Sequence, residues 1–418
     1  MLGERIRKLR KQKKMTLESL AGEGLTKGML SLIENNKAKP SIESLAYIAE
    51  RLGVETADLL EEMSVHELRE ILEQAETLYN RKPEDLPNKY IQLIELIEPY
   101  IPNLNQGYES ARLLDIYCRC LYFNKRDDWQ SFSEKAAQMY DQINLTGRRA
   151  NLGIFRSMVK FTEHDYRQSL KILLNERKIL ETQHAYIDPM TMLDLDYHEA
   201  ILHFAVDDLN TATKVMERAI QISKKYRTFY RIDDLYRLAS AHAMMSNNKE
   251  RINYYLMKLK QYGDFADDIQ SILSHDLVML IYLIKERKDY TKVLDLIERH
   301  MSNEEVLESF GPWMYLAKGE AMYGFGRYRE AIDWLDKVEV PSHTHHPFDL
   351  AIFYEKDSYK ALCYIHLKKW DQALLIANQA MENFNELPNS PFKEFSLQTL
   401  KFVQGEANKH NEKLDDNK

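Results

Sequence analysis

Glycine and proline are scarce in this chain of 418 residues, with 14 and 11 copies. Long helices joined by short turns need little of either, whereas an all-β chain spends both on turns, so the scarcity favours an all-α fold. Cysteine is rarer still: Cys118, Cys120 and Cys363. An odd, sparse count excludes a disulfide framework and fits a reducing cytoplasm. Cys118 and Cys120 have no second ligand pair nearby and read as buried apolar residues. No apolar run approaches the roughly 18 residues of a membrane span. The longest, "LVMLIYLI" at 277–284, is flanked by His275, Asp276 and Lys285. The N-terminus "MLGERIRKLRKQKK" lacks the apolar stretch of a signal peptide. Phosphate loops, G-x-S-x-G and H-E-x-x-H are absent as well. No catalytic residue, cofactor or metal is therefore assigned, and no enzyme activity is expected. The histidines of "SHTHHP" (342–347) lack a paired carboxylate or cysteine at ligand spacing.

Charge is present but uneven. Residues 1–40 hold ten Lys/Arg against four Asp/Glu, net +6, and the remainder holds 47 against 61, net −14. A basic head on an acidic body suggests an anionic partner for the head alone; a solvated helix face would look the same.

The head reads as five short helices. The first runs over about 2–13 with Ile6 and Leu9 as its stripe. Thr16 caps "LESLA", whose Leu17, Leu20 and Ala21 face inward, and "GEG" (22–24) turns the chain. Thr26 caps a third helix in which Met29, Leu30 and Ile33 share a buried side. Pro40-Ser41 opens a fourth that Gly53 stops, and "ETADLLEE" (55–62) closes the unit. Two short helices joined by a glycine turn can lay the second in the major groove.

"MTLESLAGEGLTKGMLSLIENNKAKPSIESLAYIAERLGV" resembles the lambda-repressor-like, or XRE, DNA-binding domains over about residues 3–62. The resemblance implies that Lys27, Gly28 and Leu32, with Ser31 beside them, face base edges of double-stranded DNA. It implies that Asn35, Lys37 and Lys39 grip phosphates, and that Arg10 and Glu34 form a structural ion pair. Leu17 stands where many members carry a phosphate-binding glutamine, so that contact is missing. Gly28 offers no side chain, so few bases are read directly.

The acidic body repeats. Anchors "YIQL" (90–93), "WQSF" (129–132), "YRQS" (166–169), "LNTA" (209–212), "KERI" (249–252), "YTKV" (290–293), "YREA" (328–331) and "WDQA" (370–373) recur about every forty residues. In a glycine-poor chain that period predicts stacked helical hairpins. The best units are similar to tetratricopeptide repeats: Ala200, Ala212 and Ala219, and Ala361, Ala373 and Ala380, fit the small positions. The predicted architecture is a helix-turn-helix domain over 1–62, a linker at 63–70, a right-handed α-solenoid of about eight hairpins over 71–408 and a disordered tail at 409–418. The first helix of each pair lines a concave groove suited to an extended peptide. Projecting the spacing gives Asn151, Asp194, Tyr197, Asp234, Arg237, His275, Tyr282, Trp313 and Glu320 as candidate lining.

An XRE-like head on such a body resembles the peptide-sensing quorum regulators of Gram-positive bacteria, the Rap, NprR, PlcR and PrgX group, nearest in layout to NprR. This implies a cytoplasmic transcriptional regulator that binds DNA and a short signalling peptide and associates with itself. An alternative within the group is a protein-interaction role that binds or dephosphorylates a response regulator, alone or as a second role.

Overall fold

A computed structural model describes residues 2–56, 59, 65–82, 85–246 and 248–415, and among them the only regular structure is helical. The chain divides into two compact units, residues 1–152 and 153–418. No helix among the described residues is long and apolar enough to cross a membrane.

The first unit begins with α1 (Leu2–Gln12), α2 (Leu17–Ala21), α3 (Lys27–Glu34) and α4 (Ile42–Leu52). Thr16, Thr26 and Ser41 each accept a backbone N–H of the following turn, which fixes where α2, α3 and α4 start. Gly53 ends α4 in the left-handed conformation at φ 59°. Ile6, Leu20, Leu30, Ile33, Ile48, Leu52 and Leu59 make the fully buried centre of this head. Met29 departs from expectation: it is 46% exposed, because α3 turns only Leu30 and Ile33 inward. Of the predicted fifth helix, Thr56 and Leu59 are helical, and 57–58 and 60–62 lie outside the described residues.

Further along come α5 (Val65–Tyr79), α6 (Lys89–Ile97), α7 (Gly107–Phe123), α8 (Trp129–Gln142) and α9 (Thr146–Thr162). The expected linker at 63–70 is therefore helical from Val65 onward.

The second unit continues with α10 (Tyr166–Gln183), α11 (Pro189–Ala205), α12 (Leu209–Tyr226), α13 (Ile232–Met245), α14 (Lys249–Ala266) and α15 (Ile269–Tyr282). It closes with α16 (Tyr290–His300), α17 (Glu304–Gly324), α18 (Tyr328–Leu335), α19 (Pro347–His366), α20 (Trp370–Asn383) and α21 (Pro391–Asp415). The tail predicted to be disordered from 409 is thus helical to Asp415. Trp129, Tyr166, Leu209, Lys249, Tyr290, Tyr328 and Trp370 each start the second helix of a hairpin, as the period predicts. Ser169, Ala212, Ile252, Val293, Ala331 and Ala373, three residues on, are wholly buried. Small and apolar groups recur there because the two helices of a hairpin cross closely. The first helices α11, α13, α15, α17 and α19 pack in sequence as one row.

Hairpin connections are short except Asp336–His346, between α18 and α19. This strap reaches far back along the chain. Tyr166 donates its hydroxyl to the His345 carbonyl at 2.8 Å, Phe161 meets the His345 ring edge-on and the His346 ring at a tilt, and His346 Nε2 lies 3.3 Å from the Ile201 carbonyl oxygen. His345 and His346 of "SHTHHP" thus serve packing. Burial holds the imidazoles of His345 and His346 below their usual range, so both favour the neutral form.

Candidate functional site

The head's outward face is built by its glycines and one ion pair. Gly22 sits at φ 53°, and a side chain there would meet the Tyr47 hydroxyl, which accepts the Gly24 N–H at 3.0 Å. The "GEG" turn is thereby pinned to α4, which sets the angle between α2 and α3. Arg10 binds Glu34 through two parallel bonds of 2.6 and 2.8 Å and donates a third to the Met15 carbonyl at 2.9 Å. Glu34 is 3% exposed, so this fork braces α1 against the end of α3, as the resemblance implies. Gly3 completes the junction: a Cβ there would lie 2.0 Å from the Ile33 carbonyl oxygen, and its N–H donates to Asn36 Oδ1 at 2.9 Å.

On this brace, Lys27, Gly28, Leu32, Asn35, Lys37 and Lys39 are all exposed, with Ser31 half-buried among them. Leu32 is 46% exposed, an apolar group held in water beside lysines. Lys27 Nζ rests 2.9 Å from Glu18 Oε1, a surface pair that holds the ammonium loosely. Asn35 Nδ2 donates to the Ser31 carbonyl at 2.8 Å, so that amide already caps its own helix.

Several head cations are spent inside the protein. Arg5 donates to the Leu59 carbonyl, Lys13 to that of Leu52, and Lys8 pairs with Glu67. Among the described residues, Arg7, Lys11, Lys14, Lys37 and Lys39 form no side-chain hydrogen bond or ion pair. Unspent cations beside α3 are what a phosphate backbone attracts. Nothing lies within 4 Å of a Cβ built on Gly28. Gly28→Ala should therefore keep the fold and raise stability by up to about 1 kcal/mol, read by thermal unfolding. Gly28→Asn should keep the fold too and change the duplex sequences selected from a random pool.

In the second unit four of the candidate groove residues meet. Asp194 accepts the Tyr230 hydroxyl at 2.8 Å and Arg231 Nε at 2.8 Å. Asp234 accepts Arg231 Nη1 at 2.8 Å and Arg237 Nη2 at 3.1 Å, and Arg237 also donates to the Tyr197 hydroxyl at 3.2 Å. Burial opposes the Asp234 charge, but Arg237 and Arg231 outweigh it and hold its carboxyl below the usual range. Burial pushes the Tyr197 phenol up to about 12. Arg237 keeps 44% of its side chain exposed, so the cluster presents donors to solvent.

Trp313 and Glu320 meet elsewhere, at a small open pocket walled by Leu277, Leu280, Ile281, Ile284, Leu316 and Ile352. Lys285 stands at its polar end, 3.3 Å from Glu320, 2.5 Å from Glu355 and 3.2 Å from the Tyr359 hydroxyl.

The other candidates join neither of these two clusters. Tyr282 is 8% exposed and packs in the core around α11–α15, to which the Tyr197 ring, 7% exposed, also belongs. His275 turns to Asp276, which also binds His300 at 2.7 Å. Asn151, in the first unit, accepts Arg119 at 2.9 Å. The sequence reading missed Tyr230, Arg231, Lys285 and Glu355. The pairing of the last two spans seventy positions and leaves no local signal.

Residues 3–63 match a family model described as a helix-turn-helix domain. No curated protein matches the chain. Among solved structures, PlcR of Bacillus thuringiensis in complex with the peptide PapR7 and DNA is 16% identical over 64% of this chain and 95% of its own, with a TM-score of 0.34. ComR of Streptococcus vestibularis with its cognate signalling peptide XIP is 18% identical over 65% and 95%, with a TM-score of 0.38. The pheromone receptor Rgg2 of Streptococcus dysgalactiae is 15% identical over 66% and 98%, with a TM-score of 0.31.

Proposed function

We propose that this protein is a cytoplasmic DNA-binding transcriptional regulator whose hairpin region takes a short peptide and whose heads act in pairs. The observation that carries the reading is the surface at α3: Lys27 and Leu32 stand exposed on a helix braced by the buried Arg10–Glu34 fork, and Lys37 and Lys39 stand exposed in the turn that follows it. Phosphate contacts from such lysines set position, and few side chains remain to read bases. One head therefore binds weakly, and two heads about one helical turn apart bind tightly through effective concentration.

The peptide part of the reading is supported by the Asp194–Arg231–Asp234–Arg237 cluster. It carries charged and phenolic groups on the row of first helices, where an extended chain's backbone groups would find partners. The strap at 341–346 touches the same row at Ile201. A peptide that shifts the strap can change head spacing only by as much as its affinities for the two arrangements differ.

The test is retention of genomic fragments by the purified protein at physiological salt, with and without a small-peptide extract of spent culture medium. The expected result is a few two-fold-symmetric sites whose retention changes with the extract. Hydrogen exchange should slow at 194–201 and change at 341–346 under the same extract. Absence of selective retention in both conditions overturns the DNA reading and favours a response-regulator partner.

A further inference from the structure

The second unit carries an exposed aromatic pair that its own packing does not explain. Phe229, in the turn after α12, is 58% exposed, and Phe265, near the end of α14, is 72% exposed. Their rings lie 5.5 Å apart, and Tyr262 adds a third ring 6.2 Å from Phe229. Tyr226 and Ile269, just before and just after these two in sequence, are 45% and 54% exposed. Scattered exposed apolar residues are ordinary, but touching rings in water mark a contact surface.

The charges beside the pair are opposite and unspent. Arg227 and Asp267 occupy equivalent places: each ends the second helix of its hairpin in the left-handed conformation, at φ 54° and φ 50°. Lys224 and Lys225 precede Arg227. Among the described residues neither Arg227 nor Asp267 has an ion-pair partner, and Lys225 only covers the ring of its neighbour Tyr226. Asp233 and Asp268 extend the acidic side. Burial, then Asp234 and Asp268, raises the Asp233 carboxyl above its usual range. A cationic cap lies two residues before one phenylalanine, and an anionic cap two residues after the other.

We propose that this surface binds a second copy of the chain, with Phe229 and Phe265 at its centre and Arg227 of each copy against Asp267 of the other. A two-fold axis repeats each contact, so a surface that carries both a cationic and an anionic cap beside its aromatic centre is complementary to itself when each cap meets the other kind. An all-acidic or all-basic partner would match only one of the two caps. The aromatic centre supplies the buried area, and the caps set the register. This inference rests on the reading that the protein acts in pairs.

The swap of the two caps tests it, measured by sedimentation of the full chain over a concentration series. Arg227→Asp and Asp267→Arg each exchange one residue type for the other at the same backbone conformation. Each alone creates two like-charge contacts per pair and should weaken association roughly tenfold to a hundredfold. The double variant restores both contacts and should return to within about threefold of the unmodified chain. Phe229→Ser with Phe265→Ser should dissociate the pair while circular dichroism stays unchanged. Singles that associate as the unmodified chain does, or a double variant as weak as the singles, overturn the surface while leaving the paired reading intact. An unmodified chain that sediments as a monomer at every concentration, with and without DNA, overturns both.

Discussion

Replacing Lys37 and Lys39 with alanine lowers DNA affinity by two to three powers of ten near 0.15 M salt and makes its salt dependence shallower. Each lysine on a phosphate releases about one condensed counterion, and two heads lose four such contacts, so the log–log slope should fall by about 3 to 4. The loss is electrostatic and nearly independent of sequence, so the ranking of binding sites should survive. Folding should not suffer. Both side chains are exposed and make no hydrogen bond or ion pair among the described residues, so the thermal midpoint should hold. Arg10→Ala would also abolish binding, but by leaving Glu34 buried without its fork, and its midpoint would fall. The pair of readouts separates contact from support. An affinity loss with an unchanged salt slope would sink the phosphate assignment.

Lys285→Met should be the most damaging single change in the second unit. It removes the cation that two buried carboxylates share: Glu320 is 3% exposed and Glu355 is 2%. Breaking a buried pair from one side costs about 3–5 kcal/mol, because the remaining charge has no water and no partner. The pH dependence identifies the cause. Burial, reinforced by Glu320, pushes the Glu355 carboxyl up from 4.5 to about 7 against the pull of Lys285. Its folded pKa lies above the unfolded one, so the folded state holds a proton the unfolded chain has released. Stability from this group is present below pH 4.5 and is lost as pH rises towards about 7. Removing Lys285 should move that window upward. The variant's loss in denaturant unfolding should be full near about pH 8 and smaller near about pH 5, where protonation neutralises the carboxyls. Glu355→Gln in the same background should recover part of it. Equal losses at both pH values would mean that lost packing, not charge, is responsible.

These two sites show where the sequence was readable. The face of α3 followed from local signals: Thr26 caps the helix, Leu30 and Ile33 recur at helical spacing, and the lysines follow in the turn. The exposure of Met29 was missed because its position lies at the edge of the apolar stripe, where a small rotation of the helix decides. In the second unit, Asp194, Tyr197, Asp234 and Arg237 come together because they recur on successive first helices. Tyr282 and His275 obey the same spacing yet are buried or paired. Spacing gives a residue's side of a helix and leaves open what packs against that side.

The sequence by itself determined the helical fold, the caps of the head, the hairpin period and the separation of a basic head from an acidic body. Each depends on interactions within a few residues or on a repeat that averages over many. Only the tertiary structure decided which charges are spent and which remain. Lys285 meets Glu355 across seventy positions, and Tyr166 meets the His345 carbonyl across 179. It also left Phe229 and Phe265 in contact on the surface. Such meetings depend on how successive hairpins are rotated against one another, an outcome of summed packing that no short stretch of residues encodes.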